Sequence, residues 1–128
     1  MPMKRSQVAM QFLVVIGIVF VMFIIFVIGF AERYRDIQVE KETVAMKDIA
    51  LKLHDEIVIA RNLQDGYSRN FTMPDTVDGF NYTISLNQNL IIVTGEHAEY
   101  STYVAPVQGQ VRKGTNVIRK IGDTVWLD

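Results

Sequence analysis

The sequence predicts an α+β protein: a long amino-terminal transmembrane or assembly helix, with a small antiparallel β-sheet packed on its distal half. Three observations predict it. Residues Phe12 to Ala31 (FLVVIGIVFVMFIIFVIGFA) contain no charge, no proline and no polar side chain. Glu32 to Asp65 then runs without glycine or proline, its apolar residues spaced by threes and fours. After Gly79 the pattern switches to apolar residues at every second position, the period of a half-buried strand.

The apolar run comes first. Twenty helical residues rise about 30 Å, the hydrocarbon thickness of a bilayer. Lys4-Arg5 precede it and the charge-dense Glu32-Arg33-Tyr34-Arg35-Asp36 follows it. Three readings compete. A secretory signal peptide also has a basic start, and Gly29-Phe30-Ala31 loosely fits its cleavage site, but such cores run only about 7–15 residues. The second reading is a plain single-span anchor. The third is an assembly helix, stored in lipid and later packed against copies of itself.

The next segment, Glu32–Asp65, reads as a helix continuing from the span. Its apolar face is Ile37, Val44, Met46, Ile49, Ala50, Leu53, Ile57, Ala60 and Leu63. Charges fill the other face, with Glu40-Lys41-Glu42 and Lys47-Asp48 at exposed positions. Asp48–Lys52 and Lys52–Glu56 are i,i+4 pairs of opposite sign. Gly66 ends the helix. One unbroken helix from Val8 to Asp65 would be about 87 Å long; a membrane helix and a separate core helix, joined by a kink near Ala31–Arg33, fit the pattern as well.

Residues 67–79 are rich in turn formers and read as a connection. Phe80, Tyr82, Ile84 and Leu86 alternate with polar residues as a first strand. Asn87-Gln88-Asn89 is a turn, Leu90–Thr94 a central strand, Gly95-Glu96 a tight hairpin turn and His97–Ala105 a third strand. Val107–Arg112 is either an edge strand or an extended loop. Val117–Ile121, Gly122-Asp123 and Thr124–Leu127 form a last hairpin. About fifty residues of sheet without a disulfide are marginal alone. Seating the sheet on the stripe at Met46–Leu63 covers both apolar surfaces.

Composition narrows the function. Cysteine is absent, so neither a disulfide framework nor a thiolate metal site is available. Net charge is −1, unlike the basic footprint of a nucleic-acid binder, and no nucleic-acid partner is expected. No catalytic constellation is legible, so the chain reads as a structural protein and not an enzyme, with no cofactor and no metal. His54-Asp55-Glu56 superficially looks like a ligand cluster, but consecutive helical residues point in different directions. His97 lies beside a hairpin turn without companions. Trp126 reads as a packing residue. Arg112, Lys113, Arg119 and Lys120 form a modest basic cluster, read as a solvated sheet face. Asn70-Phe71-Thr72 and Asn81-Tyr82-Thr83 are N-glycosylation sequons, which make Asn70 and Asn81 candidate glycosylation sites.

Residues 4–17, Lys-Arg-Ser-Gln-Val-Ala-Met-Gln-Phe-Leu-Val-Val-Ile-Gly, resemble the class III, prepilin-type signal peptide of archaeal type IV pilin-like proteins. That resemblance implies cleavage by a prepilin peptidase between Ser6 and Gln7, on the cytoplasmic side. The apolar segment then stays on the mature chain. Ala9 matches the family's small third position, and Phe12-Leu13 begin the apolar run as the family's do. Two positions depart from the pattern: Ser6 stands where glycine is usual, and Gln11 where glutamate is usual. In the family that glutamate pairs with a neighbour's amino terminus; a neutral Gln11 can accept a hydrogen bond but supplies no countercharge.

The resemblance thus divides the chain into a leader (1–6), a hydrophobic transmembrane or assembly helix (7–31), its amphipathic continuation (32–65) and a β-domain (66–128), the lollipop of pilin-like subunits. Removing Lys4 and Arg5 leaves eleven basic residues against fourteen acidic ones, a net charge of −3. Basic residues flanking the span tie, two against two, so flank charge alone does not orient it. The processing motif places the amino terminus in the cytoplasm and the β-domain outside. The implied function is a structural subunit, major or minor, of a cell-surface filament, assembled through Gln7, Gln11, Phe12 and Leu13. Its partners are the membrane, the peptidase and other copies or related subunits. The alternative is an unprocessed, membrane-anchored surface module acting as an adhesin or sensor.

Overall fold

The structure, a computed structural model, describes Pro2–Asp128, with side chains from Lys4 onward. It is α+β, as the patterning predicts and as a pilin-like fold requires. Among the described residues one helix, α1 (Pro2–Asn62), is followed by nine strands. These are β1 (Ser68–Met73), β2 (Thr76–Val77), β3 (Phe80–Asn81), β4 (Thr83–Asn87), β5 (Leu90–Thr94), β6 (Glu99–Tyr103), β7 (Val107–Gly109), β8 (Gly114–Ile121) and β9 (Thr124–Leu127). Helical hydrogen bonding continues through Ala31–Arg33 without a break. The chain divides into two compact units, one ending at Gln38 and one comprising Val39–Asp128.

The first unit is helix alone, and its described side chains are exposed except for a half-buried Gln38. The second unit has a core of its own. Helix residues Ala45, Met46, Ile49, Ala50, Leu53, Ile57 and Ala60 are buried with Phe71, Met73, Tyr82, Leu86, Ile91, Val93, Val104, Val107, Val111, Ile118, Val125 and Leu127. The sheet residues come from alternate positions of their strands, because successive side chains leave opposite faces of a pleated strand. The helix residues recur every three or four positions, so one stripe faces the strands and the rest faces water.

The predicted helical face needs correcting at its ends. Val44 and Ile37 are about half exposed and Leu63 is also exposed. The stripe that packs runs through positions 42, 45, 46, 49, 50, 53, 57 and 60. It therefore includes Glu42, which the sequence places among solvated charges and the fold buries at 2 % exposure. The expected Lys52–Glu56 and Asp48–Lys52 pairs also give way to contacts between elements. Lys52 Nζ donates to the Thr72 carbonyl at 2.8 Å, and Glu56 sits 3.5 Å from Arg69 on β1.

The helix stops at Asn62, three residues before the expected Asp65. Its last carbonyls lack partners within the helix. Lys120 supplies them: Nζ donates to the carbonyls of Arg61 and Leu63, both at 2.7 Å. Gln64–Tyr67 then form a turn, closed by the Tyr67 N–H on the Gln64 carbonyl. Gly66 occupies its third position with φ of +89°, where a side chain is strained. The glycine punctuates the chain as expected, but as a turn residue beyond the helix end.

The expected sheet resolves into three. The largest has the order β1-β8-β9-β7, and β4-β5-β6 and β2-β3 form the others. All pairs are antiparallel except β7 with β9, which run parallel. The segment 67–79, expected to be a connection, contains β1 and β2. β1 pairs along its whole length with β8, Phe71 opposite Asn116 and Met73 opposite Gly114. The single strand expected from Phe80 divides at Tyr82 into β3 and β4. Leu90–Thr94 and Thr124–Leu127 form as predicted, and β8 starts three residues early. Val107–Arg112 contributes the short edge strand β7.

The expected tight turn at Gly95-Glu96 is a four-residue loop, Gly95–Ala98, and β6 begins only at Glu99. Glu42 explains the difference. Its Oε1 accepts the backbone N–H of His97 at 2.9 Å, so the loop opens to wrap a helix carboxylate.

Candidate functional site

The candidate site is the apolar segment of α1 and its amino-terminal edge. Ser6, Gln7, Gln11, Phe12 and Leu13 all lie in helix and are exposed. Gln7 and Gln11 are four residues apart, so they share a face one turn apart. From Phe12 to Ala31 every residue is exposed. Phe26 and Phe30 stack along the helix, their ring centroids 6.4 Å apart, and leave both rings outward. At Gly17 and Gly29 an added Cβ would meet nothing within 4 Å.

Bare in water, this surface is untenable. Burying one such side chain is worth about 1.5–3 kcal/mol, and large exposed apolar patches mark contact with a membrane or partner. The helix is long and apolar enough to cross a membrane, and none of its most apolar window is buried within the chain. The arrangement can do two things chemically: dissolve in hydrocarbon, or pack against other apolar helices. Its backbone polar groups are satisfied internally, which hydrocarbon demands.

The other sequence candidates fall on the second unit and do not converge. Asn70 on β1 and Asn81 on β3 are exposed with the threonines of their sequons, while Phe71 and Tyr82 between them turn inward. The basic cluster disperses. Lys113 lies over the Tyr82 ring at 4.6 Å, Arg119 pairs with Asp128 at 3.3 Å, and Lys120 caps the helix. The Arg112 backbone is held by Asn116, whose buried side-chain amide takes the Arg112 N–H and donates to the Arg112 and Gly114 carbonyls. Trp126, read as a packing residue, instead points off β9 at 42 % exposure, because Val125 and Leu127 occupy the core face.

His54 Nδ1 lies 3.6 Å from the carboxylate of its neighbour Asp55. Among the described residues no group of three or more His, Cys, Asp or Glu side chains converges as a metal site would. Tyr82 is held by burial and the nearby Asp75 above its ordinary pKa, and its neutral hydroxyl donates to the Pro74 carbonyl.

Glu42 and His97 are the pair that sequence reasoning missed. They are 55 residues apart, and no local signal joins them. The Glu42 carboxylate takes the His97 N–H on Oε1, and His97 Nδ1 lies 3.4 Å from Oε2. Burial pushes this carboxyl up. The backbone N–H groups of His97 and Glu96 and the adjacent imidazole outweigh burial, and Glu42 ends below its ordinary value. The one legible hint is Gly95: a Cβ there would collide with Glu42 Oε1, so glycine admits the carboxylate this close.

Comparison of the chain with protein-family models, with curated proteins and with solved structures gives no match.

Proposed function

We propose that this chain is a structural subunit of an archaeal type IV pilus-like surface filament, cut before Gln7 by a prepilin peptidase. The observation that carries the reading is the uncovered helix from Phe12 to Ala31, joined to a self-contained β-unit and preceded by the Lys4-Arg5-Ser6-Gln7 edge. The logic is a change of solvent. Lipid accommodates the apolar segment before assembly, and identical segments from other copies replace lipid afterwards. Cleavage on the cytoplasmic side removes the two basic side chains that anchor the helix end there. The β-unit then faces outward, with Asn70 and Asn81 accessible for glycosylation.

A second reading has two observations in its favour. Gln11 offers no countercharge to a neighbouring amino terminus, and Trp126 presents an exposed aromatic on the large sheet. Both suit an unprocessed, anchored surface module that binds through its sheet. The amino-terminal mass of native protein extracted from membranes separates the two. A chain starting at Gln7 is expected. An intact Met1, or a start near Glu32, overturns the pilin-like reading.

A further inference from the structure

The helical part of the second unit carries a second apolar stripe, opposite its core face. Successive helical residues turn by about 100°. With Val44 as the origin, Leu51 and Val58 fall within about 40° of it, whereas Leu53, Ile57 and Ala60 lie about 160–220° away, under the sheets. Val44 is 51 % and Leu51 37 % exposed, Val58 is half-buried, and Ile59 borders them. Sequence periodicity assigns Val44 to the core; the fold turns it out, onto a stripe with a strict seven-residue repeat.

The flanks of this stripe are charged in a fixed order. On one side stand Glu40, Lys47 and His54. On the other, at the same heights, stand Lys41, Asp48 and Asp55. At the first two levels the two flanks have opposite sign. Among the described residues, the ion pairs within the chain involve His54–Asp55, Arg69–Glu56, His97–Glu42 and Arg119–Asp128. Lys47 and Asp48 are outside them and exposed.

We propose that this stripe packs against the same stripe of a second copy of the chain, parallel and in register. Two parallel copies facing each other place one flank of the first against the opposite flank of the second. Lys47 then meets Asp48 of the other copy, Asp48 meets Lys47, and Glu40 meets Lys41. An antiparallel pair centred on Leu51, the register that overlaps all three apolar residues, brings each flank against itself, with Asp48 against Asp55. Apolar complementarity is indifferent to direction; the charge order selects the parallel pair, much as flanking charges set orientation in coiled coils. The stripe is short, so it acts between copies already concentrated in one membrane. Such a pair is two-fold and closed, so it joins copies stored in the membrane, before the filament assembly that the proposed function describes.

The chain has no cysteine, so an introduced thiol is unique. The test uses the full chain in the expressing membrane under mild oxidation. Helices packed stripe to stripe bring equivalent positions within disulfide reach. Val44→Cys and Leu51→Cys should each give a covalent dimer, and the exposed hairpin variant Asn87→Cys should not. Chains with Val44→Cys mixed with chains carrying Val58→Cys should form no mixed dimer. Adding Lys47→Glu to Leu51→Cys should lower the dimer yield several-fold at low salt, and the swap Lys47→Glu with Asp48→Lys should restore it. The effect should fade near 1 M salt, where screening leaves a reach of about 3 Å. Equal crosslinking at Asn87, a dominant mixed dimer, or no rescue by the charge swap overturns the proposal. A chain that keeps Met1 yet crosslinks in this pattern retains the stripe and removes the pilin-like reading.

Discussion

Replacing Glu42 by glutamine probes the contact that the tertiary structure created and the sequence concealed. The carboxylate is buried on α1 and accepts the His97 N–H at 2.9 Å, with the Glu96 N–H also directed to it. Hydrogen bonds to a charged group contribute about 1.5–3 kcal/mol each and neutral ones about 1 kcal/mol. Glutamine keeps one neutral acceptor and turns its amide N–H groups toward the remaining donor. The loop residues Glu96 and His97 are exposed, so water takes back part of the loss. The expected destabilisation is therefore about 2 kcal/mol at pH 7. The pH dependence follows from the direction of the shift. Glu42 is held below its ordinary 4.5 in the fold, so its contribution is complete above that value and disappears as pH falls through the lower, folded value. Glutamine does not titrate. The stability gap between wild type and Glu42→Gln should be full at pH 7 and narrow progressively below about pH 4.5. Urea unfolding followed by circular dichroism, on a chain beginning at Glu32, measures the gap at each pH. A gap that stays constant from neutral to acidic pH, or a variant as stable as wild type, refutes the reasoning.

Gly95→Ala should also destabilise, because its Cβ would displace the Glu42 carboxylate; in a Glu42→Ala background the same change should be nearly silent, and additive effects in that double-mutant cycle would count against the contact. Leu53→Asp or Ile57→Asp places a charge at a fully buried position beneath the strands, and should abolish cooperative folding of the Glu32-start chain, with a loss of several kcal/mol; wild-type melting of either variant would show that the sheets do not rest on this helix. The unaltered Glu32-start chain should be soluble and monomeric at micromolar concentration by light scattering, since it lacks the apolar run. Gln11→Glu supplies a countercharge for a neighbour's amino terminus and should raise incorporation into filaments, read by electron microscopy of sheared surface material; processed chains that stay dispersed in the membrane in both forms would remove the assembly claim.

The elements read correctly from sequence are those whose information is local. Leu90–Thr94 is apolar enough to be central, and it forms between β4 and β6. Gly122-Asp123 between two alternating runs marks the β8–β9 hairpin before any packing is known. β1 escaped because its outward face carries Ser68, Asn70 and Thr72, residues that also make turns; only Phe71 and Met73 announce a strand, and pairing with β8 is what realises it. The candidate site was legible for a related reason. Hydrophobicity sustained over twenty residues needs no tertiary partner to be recognised, and Ser6, Gln7, Gln11, Phe12 and Leu13 sit at its edge in plain sequence order.

The amino-acid sequence by itself determined the apolar span, the amphipathic helix after it and the α+β class, because periodicity and propensity act between neighbours in the chain. Only the tertiary structure decided that Glu42 is buried and Val44 is not. It also decided that Lys120 caps a helix end 59 residues away and that Trp126 faces solvent. Periodicity places Met46, Ile49, Ala50, Leu53, Ile57 and Ala60 on the buried face, but it does not fix the edges of that face. At one edge Glu42 is buried where its carboxylate collects N–H groups of the Gly95–Ala98 loop. Burying that carboxylate without those donors would cost several kcal/mol, and their position is set by strands more than fifty residues away.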